Sequence, residues 1–395
     1  MHILFLTDNF PPEVNAPASR TFEHCREWVR LGHQVTVITC APNFPKGKLF
    51  EGYRNRLWQS EDMDGIRVIR VWSYITANEG FLKRTLDYLS YMVSASLAAP
   101  FVRNVDIVVG TSPQFFTACA AWLTGLLKRR PFVFEVRDLW PESIRAVGAM
   151  RNGRILDWFE ALELFLYRRA AGVVTVTNAF RQNLVSRGID GRKISVTTNG
   201  VDLARFRPME KDAGLLEELG LKGKFVAGYI GTHGMAHALE TLIEAAEALA
   251  KKPGAANIHF LFLGDGAEKA RLAESVAHRG LTNVTMLSSV PKSEVARYWS
   301  LLNVSIIHLR KTPLFKTVIP SKLFECMAMG LPVLHGVEGE SAEIVREANA
   351  GLPFEPENAG ELAGLLLKLS QNRRLRKDLR ANCLASAPAY DRVQL

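Results

Sequence analysis

The stretch "TVIPSKLFECMAMGLPVLHG" (residues 317–336) places two charged residues at the head of an otherwise apolar helix. Pro320 and Ser321 favour the start of a helix, and Ser321 is a candidate N-cap. Lys322 and Glu325 follow in the first turn, where positions three apart are neighbours on the helix surface. The segment "GLPVLHG" then ends the helix and begins a strand, so the stretch predicts one helix–strand step of an α/β domain.

Short apolar runs alternate with longer helical patterns along the rest of the chain. The strand-like runs are residues 2–7, 34–40, 66–72, 106–110, 132–138 and 172–177, and then 225–231, 258–264, 284–289, 304–309 and 332–336. Most are apolar throughout, which is typical of parallel sheets buried on both faces. Because 395 residues exceed what one hydrophobic core usually holds, we expect two doubly wound α/β domains, residues 1–205 and 206–375.

The charge distribution is uneven. Of the net charge of +9, residues 1–205 carry +7 and residues 206–395 carry +2. This excess suits a nucleic acid, an anionic membrane or phosphate groups, or is simply a basic surface.

The five cysteines show no metal-ligand spacing, which predicts free thiols in a reducing compartment. The sequence shows neither a signal-peptide pattern nor an unbroken apolar run that could span a bilayer.

Two glycine-rich turns occur in the second half. Residues 229–246, "YIGTHGMAHALETLIEAA", predict a strand, a turn with Gly231 and Gly234, and an amphipathic helix. Residues 261–272 repeat this arrangement with Gly264. Such turns let a backbone approach a ligand, and a helix start offers N–H groups to an anion, although many are only tight connections.

Together with these turns, the helix that begins at Lys322 predicts a nucleotide site. The ammonium group and the positive end of the helix suit a diphosphate. Glu325 suits the two neighbouring hydroxyl groups of a ribose. The alternative is that both residues are solvated surface charges.

Several segments resemble those of retaining GT-B glycosyltransferases, the large family that includes sucrose synthases and phosphatidylinositol mannosyltransferases. They are "FPPEVNAPASR" (10–20), "VRDLWPES" (136–143), "TNGVDLARFRP" (198–208), "FLGDGAEK" (262–269) and "PSKLFECMAMGLPV" (320–333). The chain most resembles transferases of amino sugars such as fucosamine in O-antigen or capsule assembly. The resemblance implies two Rossmann-like domains facing across a cleft, with a C-terminal helix at about 376–395 that packs back on the first domain. It also implies a nucleotide-sugar donor, most often UDP-linked, and no metal.

The resemblance also assigns site residues. The donor side comprises Gly231, Thr232, His233, Gly234, Gly264, Thr317, Ser321, Lys322 and Glu325. The catalytic set comprises Asp138, Arg137 and Lys322, and the acceptor side comprises Asn15, Ala16 and Arg20. Asp138 would orient the acceptor hydroxyl or balance positive charge at the sugar. Its alternative is a structural cap on the loop before Trp140.

The chain departs from the family pattern at the donor site. The family often has two glutamates eight positions apart; Glu325 matches the second, but Thr317 stands where the first would be. The first glycine turn usually offers an arginine and a lysine to the diphosphate, whereas here Thr232, His233 and His237 occupy it. Lys322 would therefore carry more of the phosphate charge.

Residues 81–101 are a candidate membrane-surface helix. Lys83 and Arg84 stand beside the apolar side chains of Phe81, Leu82, Tyr88, Tyr91 and Met92. With the basic first half, this predicts peripheral binding at the cytoplasmic face of an anionic membrane, a lipid-linked or oligosaccharide acceptor, and no nucleic acid. An ordinary buried helix is the alternative.

Two rival functions remain open: a sugar-nucleotide epimerase on the same fold, or a binding subunit that has lost turnover.

Overall fold

The computed structural model describes residues 1–13, 15–44, 47–76, 81–139 and 153–395. They form two compact units, Met1–Thr198 and Asn199–Leu395. The division lies a few residues before the boundary expected at 205. Trp140, expected in the loop after Asp138, lies outside the described residues.

The first unit is built on an eight-stranded sheet. Its strands are β1 (His2–Leu6), β2 (Gln34–Cys40), β3 (Gln59–Met63), β4 (Ile66–Val71), β5 (Ile107–Thr111), β6 (Phe132–Val136), β7 (Gly172–Thr175) and β8 (Ile194–Val196). The spatial order is β3-β4-β2-β1-β5-β6-β7-β8. Neighbouring strands of the described sheet are parallel except for the antiparallel pair β3–β4.

The β3–β4 hairpin and β8 were not predicted from the sequence. The hairpin turns at Asp64 and Gly65, whose φ values are 53° and 80°. Asp-Gly is a preferred pair for the type I′ turn that joins two antiparallel strands, so a local signal was present. Apolar periodicity missed β3 because the strand is polar and only partly buried.

The helices of the first unit cover both faces of its sheet. They are α1 (Ala16–Arg30), α2 (Phe81–Ala98), α3 (Phe115–Lys128), α4 (Gly153–Arg169) and α5 (Asn178–Ser186). Leu4 and Leu6 of β1 belong to the core under α2 to α5, while Ile3 and Phe5 belong to the core under α1. Side chains that alternate between two buried faces explain why β1 is apolar throughout.

The second unit has a six-stranded parallel sheet. Its strands are β9 (Phe225–Ile230), β10 (Ile258–Leu263), β11 (Val284–Leu287), β12 (Val304–His308), β13 (Val333–Gly336) and β14 (Gly351–Pro353). The spatial order is β11-β10-β9-β12-β13-β14. β9, β10 and β12 are buried along their whole length. Their carboxyl ends meet at one edge of the sheet, which is where open α/β sheets bind ligands.

Helices cover both faces of this sheet as well. They are α6 (Ala213–Glu218), α7 (Glu240–Ala250), α8 (Lys269–His278), α9 (Val295–Leu301), α10 (Lys322–Met329), α11 (Glu340–Glu347), α12 (Ala359–Gln371) and α13 (Arg373–Ser386). Among the described residues, none of the helices in either unit is both long and apolar enough to cross a bilayer.

The C-terminal segment belongs to the second unit. On α13, Cys383 is fully buried, and its thiol lies 3.4 Å from the carbonyl oxygen of Leu331, just after α10. Val201 exchanges backbone hydrogen bonds with Tyr390 (2.9 Å) and Arg392 (3.0 Å). These contacts tie the first residues after the division to the end of the chain, which explains why the second unit begins before residue 205.

Candidate active site

In the glycine turn after β9 (residues 231–234), some backbone N–H groups already donate to other parts of the protein. The N–H of Gly231 donates to the carbonyl of Leu263, and the N–H of His233 donates to the carbonyl of Asp265, both at 2.9 Å. Two of the N–H groups expected to face an anion are therefore occupied. They extend the pairing of β9 and β10 beyond the strand ends, which fixes the position of the turn.

The N–H groups of Thr232 and Gly234 remain available in this turn. Within the described part of the chain, neither donates to a protein acceptor. The hydroxyl of Tyr229 donates to the Thr232 carbonyl at 2.8 Å and so orients the turn. A 3₁₀ turn, Met235–His237, intervenes before α7 begins at Glu240, so the helix start does not directly follow the glycines as the sequence suggested.

The glycine turn after β10 packs directly against the glycine turn after β9. Gly264 and Gly266 have φ values of 155° and 157°. A Cβ atom at Gly264 would overlap the carbonyl oxygen of Gly231, and one at Gly266 would overlap that of His233. Close packing of the two turns thus accounts for both glycines, and a direct contact of Gly264 with the donor stays a prediction.

Lys322 lies beside the first turn. Its Nζ atom is buried, has no hydrogen-bond partner, and lies 3.9 Å from the ring centre of Tyr229. A Cβ atom at Gly231 would lie 2.5 Å from this Nζ, so a larger residue there would displace the ammonium group from its present position. Burial lowers the pKa of Lys322 to about 8, and the neighbouring Glu325 carboxylate and Cys326 only partly oppose this shift. The head of α10 and the glycine turn are therefore brought together, as predicted from the sequence.

Ser321 does not cap α10 as expected. Its backbone is helical (φ −55°, ψ −32°), and its side chain makes no capping hydrogen bond. A serine N-cap needs an extended backbone to reach the N–H groups ahead of it. The N–H groups of Leu323 and Phe324 donate instead to the carbonyls of Pro320 (3.0 Å) and Ser321 (3.2 Å). The helix start thus offers an anion fewer free donors than the sequence suggested.

The two positions of the family's glutamate pair differ in character. Glu325 is half-buried in the first turn of α10, close enough for its charge to act on Lys322. Thr317 ends a 3₁₀ turn, Leu314–Thr317, and its hydroxyl donates to the Leu314 carbonyl at 2.7 Å. Thr317 therefore has neither a carboxylate nor a free hydroxyl proton for a donor sugar.

In the first unit, Arg137 and Asp138 follow β6. The Oγ atom of Ser112 accepts hydrogen bonds from both of their N–H groups, at 2.7 and 3.1 Å. The guanidinium of Arg137 also donates to the carbonyl of Pro17 at 3.3 Å. This turn at the carboxyl end of the sheet is held by backbone contacts, and both side chains are partly exposed.

The predicted acceptor residues have structural roles. Asn15 is the N-cap of α1, accepting from the N–H of Ala18 at 2.8 Å, and Ala16 is exposed at the helix start. Arg20 is fully buried and donates to Glu135 at 2.9 Å, as well as to the carbonyls of residues 197 and 198. Arg20 therefore links α1 to β6 and to the segment after β8. An acceptor contact of these residues stays a prediction.

α2 presents a different face to solvent from the one expected. Tyr91 is buried, with its hydroxyl within 2.9 Å of the Thr7 carbonyl, and Tyr88 and Met92 pack against the same core. These side chains anchor the helix to the sheet and are not free to enter a membrane.

The outward side of α2 carries other apolar residues. Leu86, Val93 and Leu97 are exposed at helical spacing, and Phe101 follows the helix, 73% exposed. Lys83 and Arg84 are exposed at the start of the helix. The side chains of Phe81 and Leu82 lie outside the described part of the structure.

Two family models match the chain. The model of Glycosyltransferase Family 4 matches residues 18–205, and that of glycosyl transferases group 1 matches residues 216–384. The chain belongs to glycosyltransferase family 4. It is thus a retaining glycosyltransferase that uses a nucleotide sugar.

The relatives of this glycosyltransferase have low sequence identity to it, but each alignment covers most of both chains. A glycosyl transferase named for colanic acid biosynthesis, WcaI of Escherichia coli, is 27% identical over 342 residues, 84% of this chain and 82% of the relative. A GDP-mannose-dependent alpha-mannosyltransferase of Mycobacterium tuberculosis is 25% identical over 363 residues, 89% of this chain and 83% of the relative.

The solved structure of Anabaena HepE in complex with UDP and glucose superposes on this protein with a TM-score of 0.73 at 16% sequence identity. The superposition covers 99% of this chain and 96% of HepE. This likeness confirms the GT-B fold with two Rossmann-like domains.

The candidate donor site also contains an aromatic residue that the sequence did not reveal. Tyr229 lies under Lys322, and its ring centre is 5.9 Å from that of His233 and 5.8 Å from that of His237. An aromatic residue inside a buried strand is ordinary core by pattern. Only its place next to the strand end, directly before the glycine turn, could have suggested a role.

Proposed function

We propose that this glycosyltransferase transfers a sugar from a UDP-linked donor to a lipid-linked or saccharide acceptor in the synthesis of a bacterial surface polysaccharide. One observation carries the proposal: the buried ammonium of Lys322 has no hydrogen-bond partner at the carboxyl edge of the sheet. A buried cation without a partner is unfavourable, so a negatively charged ligand is expected there. The free N–H groups of Thr232 and Gly234 supply further donors for diphosphate oxygens.

These groups fit the chemistry of the reaction. Breaking the bond between sugar and diphosphate places negative charge on the leaving phosphate. A lysine and backbone donors that are already in position stabilise such charge without having to reorganise. Glu325 would accept from the ribose hydroxyls. Asp138 would orient the acceptor hydroxyl or balance positive charge at the anomeric carbon, with Arg137 beside it.

We propose an N-acetylated amino sugar, for example one of the fucosamine type, as a candidate donor sugar. Thr317 supports a departure from donors recognised by a carboxylate, because its hydroxyl is used by the Leu314 carbonyl. The relatives differ in nucleotide: one is named for GDP-mannose, and HepE was solved with UDP. The nucleotide is therefore the first property to measure.

A thermal-shift screen with UDP, GDP, ADP and their sugars tests the donor. A ligand at one hundred times its dissociation constant stabilises the folded protein by about 2.7 kcal/mol. UDP-linked compounds should give the largest shift, and Lys322→Ala should weaken their binding by about 1.5–3 kcal/mol. If no nucleotide shifts the transition, or if a folded Lys322→Ala protein binds UDP normally, the proposed donor site is wrong.

Transfer is then measured with the bound nucleotide sugar and a membrane lipid extract. A glycosylated lipid or saccharide product supports the proposal. An epimerised sugar with free nucleotide and no acceptor product would identify an epimerase. Binding without any turnover would identify a degenerate subunit. The absence of the usual arginine from the first glycine turn and the presence of Thr317 favour this alternative.

We further propose that the enzyme binds the cytoplasmic face of an anionic membrane through its first unit. The exposed residues Leu86, Val93 and Leu97 form an apolar stripe on α2, next to the exposed Lys83 and Arg84. Each basic residue near an anionic surface contributes about 1 kcal/mol, and salt screens this attraction. The stripe on the outward side of α2 replaces the aromatic side that the sequence suggested, since Tyr91 is part of the core.

A further inference from the structure

Three nitrogen-bearing side chains surround the ring of Tyr229. The Nζ of Lys322 lies 3.9 Å from its centre, and the rings of His233 and His237 lie at centre distances of 5.9 and 5.8 Å. The lysine comes from α10, His233 from the glycine turn after β9, and His237 from the 3₁₀ turn that follows it. We call these three residues the Tyr229 cluster.

His233 has hydrogen-bonding capacity that the protein does not use. It is fully buried, and neither of its ring nitrogens has a hydrogen-bond partner. A neighbouring histidine shows the ordinary arrangement: His308 is also buried, but its Nδ1 lies 2.8 Å from the His237 carbonyl and its Nε2 accepts from the N–H of Glu357 at 2.9 Å. Burying a ring whose two nitrogens make no hydrogen bond is unfavourable unless a ligand supplies the missing partners.

The charge of the cluster is low in the absence of ligand. His233 is faced by Lys269, Asp265 and Lys322. Burial, and then the charge of Lys269, lowers the pKa of His233 to about 4 in spite of Asp265. Both histidines are therefore neutral near pH 7, and Lys322 is the one cation of the cluster.

His237 has its own charged and titratable neighbours. It is faced by Lys322, His308 and His233. Burial, and then the charge of Lys322, lowers the pKa of His237 to about 3, although a hydrogen bond from its ring to the backbone of His308 acts in the opposite direction. The family's usual arginine and lysine would carry permanent charge in this turn.

We propose that the donor diphosphate binds to the Tyr229 cluster and that His233 and His237 take up protons from solvent as it binds. The protonated imidazoles supply the positive charge that arginine and lysine supply elsewhere in the family. A negative charge beside a histidine favours its protonated form, and a protonated ring donates from both nitrogens. This inference rests on the proposed function, because it concerns the same diphosphate.

Proton uptake on binding makes the affinity for the donor depend on pH in one direction. Binding that takes up protons strengthens as the pH falls, by up to about tenfold per pH unit for each proton. A nucleotide sugar is the right probe, because its doubly esterified diphosphate does not titrate in the range of interest. Free UDP has a phosphate that does titrate and would obscure the effect.

Calorimetric titration of the full chain with UDP-N-acetylfucosamine, UDP-glucose and GDP-mannose, in buffers of different ionisation enthalpy, counts the protons directly. The wild type should take up protons at about pH 6.5, where Lys322 is already charged. His233→Gln and His237→Gln should each reduce the uptake and flatten the pH dependence of the affinity. His278→Gln, at the exposed end of α8, is the matched control and should leave both unchanged.

The wild-type measurement decides the question even if a variant fails to fold. Binding of a nucleotide sugar without proton uptake at this pH overturns the inference and leaves the proposed function standing. Failure of every nucleotide sugar to bind overturns both. NMR shifts of the ring nitrogens give a second readout: the inference requires imidazolium signals that appear on binding and are missing in the two variants.

Discussion

Replacing Lys322 by methionine is expected to stabilise the protein without ligand and to impair nucleotide binding. Burial lowers the lysine pKa from 10.5 to about 8, and one pKa unit corresponds to about 1.4 kcal/mol. The charged lysine thus costs the folded state about 3 kcal/mol, of which the contact with the Tyr229 ring offsets about 1 kcal/mol. Methionine fills a similar volume without a charge, so we expect a net gain of about 2 kcal/mol near pH 7.

The pH dependence of this gain follows from the lowered pKa. The folded protein holds the lysine proton less tightly than the unfolded chain does. The penalty is therefore fully present below the folded pKa of about 8 and disappears as the pH rises from there towards 10.5. The stabilisation by Lys322→Met should shrink over the same range.

Thermal unfolding measures the effect. For a unit of about 200 residues, 2 kcal/mol corresponds to a rise in Tm of roughly 4–8 °C. The exposed Lys252→Met is the control and should leave Tm unchanged. In parallel, affinity for the nucleotide should fall by about 10- to 150-fold, the equivalent of a charge-assisted hydrogen bond of about 1.5–3 kcal/mol. A lower Tm for Lys322→Met would refute the reasoning, because it would mean that the ammonium is already well paired.

Three other outcomes are expected. Asp138→Asn should lower kcat with little change in donor affinity; normal turnover, or loss of folding, would assign Asp138 a structural role. Arg20→Met should destabilise the first unit by about 3–5 kcal/mol in urea unfolding, because the Glu135 carboxylate would stay buried without its ion pair to Arg20; a loss below about 1 kcal/mol would contradict this. Replacing Val93 and Leu97 by serine should weaken co-sedimentation with anionic vesicles at low salt, and binding by the wild type should fall as salt rises to about 0.5 M; a wild type that ignores such vesicles would refute the membrane proposal.

The strand pattern and the glycine turns could be predicted from the sequence, because they depend on local chemistry. A strand buried on both faces must be apolar at successive positions, so β1, β9 and β10 were visible as runs. Positive φ values favour glycine, so Gly231 and Gly264 marked the turns. Strands that are short or polar lack this signal: β3, β8 and β14 were missed because pairing with a neighbouring strand, not apolar content, holds them in place.

By itself, the sequence determined which residue types stand at the head of α10 and in the glycine turn, and hence the expectation of a diphosphate site. Only the tertiary structure decided their surroundings. It placed the Lys322 ammonium over Tyr229 without a hydrogen-bond partner, and it used the N–H of Gly231 for sheet pairing. It also paired Arg20 with Glu135, 115 positions away. Burial and partner choice depend on residues distant in the chain, and these set the charge and hydrogen-bonding capacity that each group has left for a ligand.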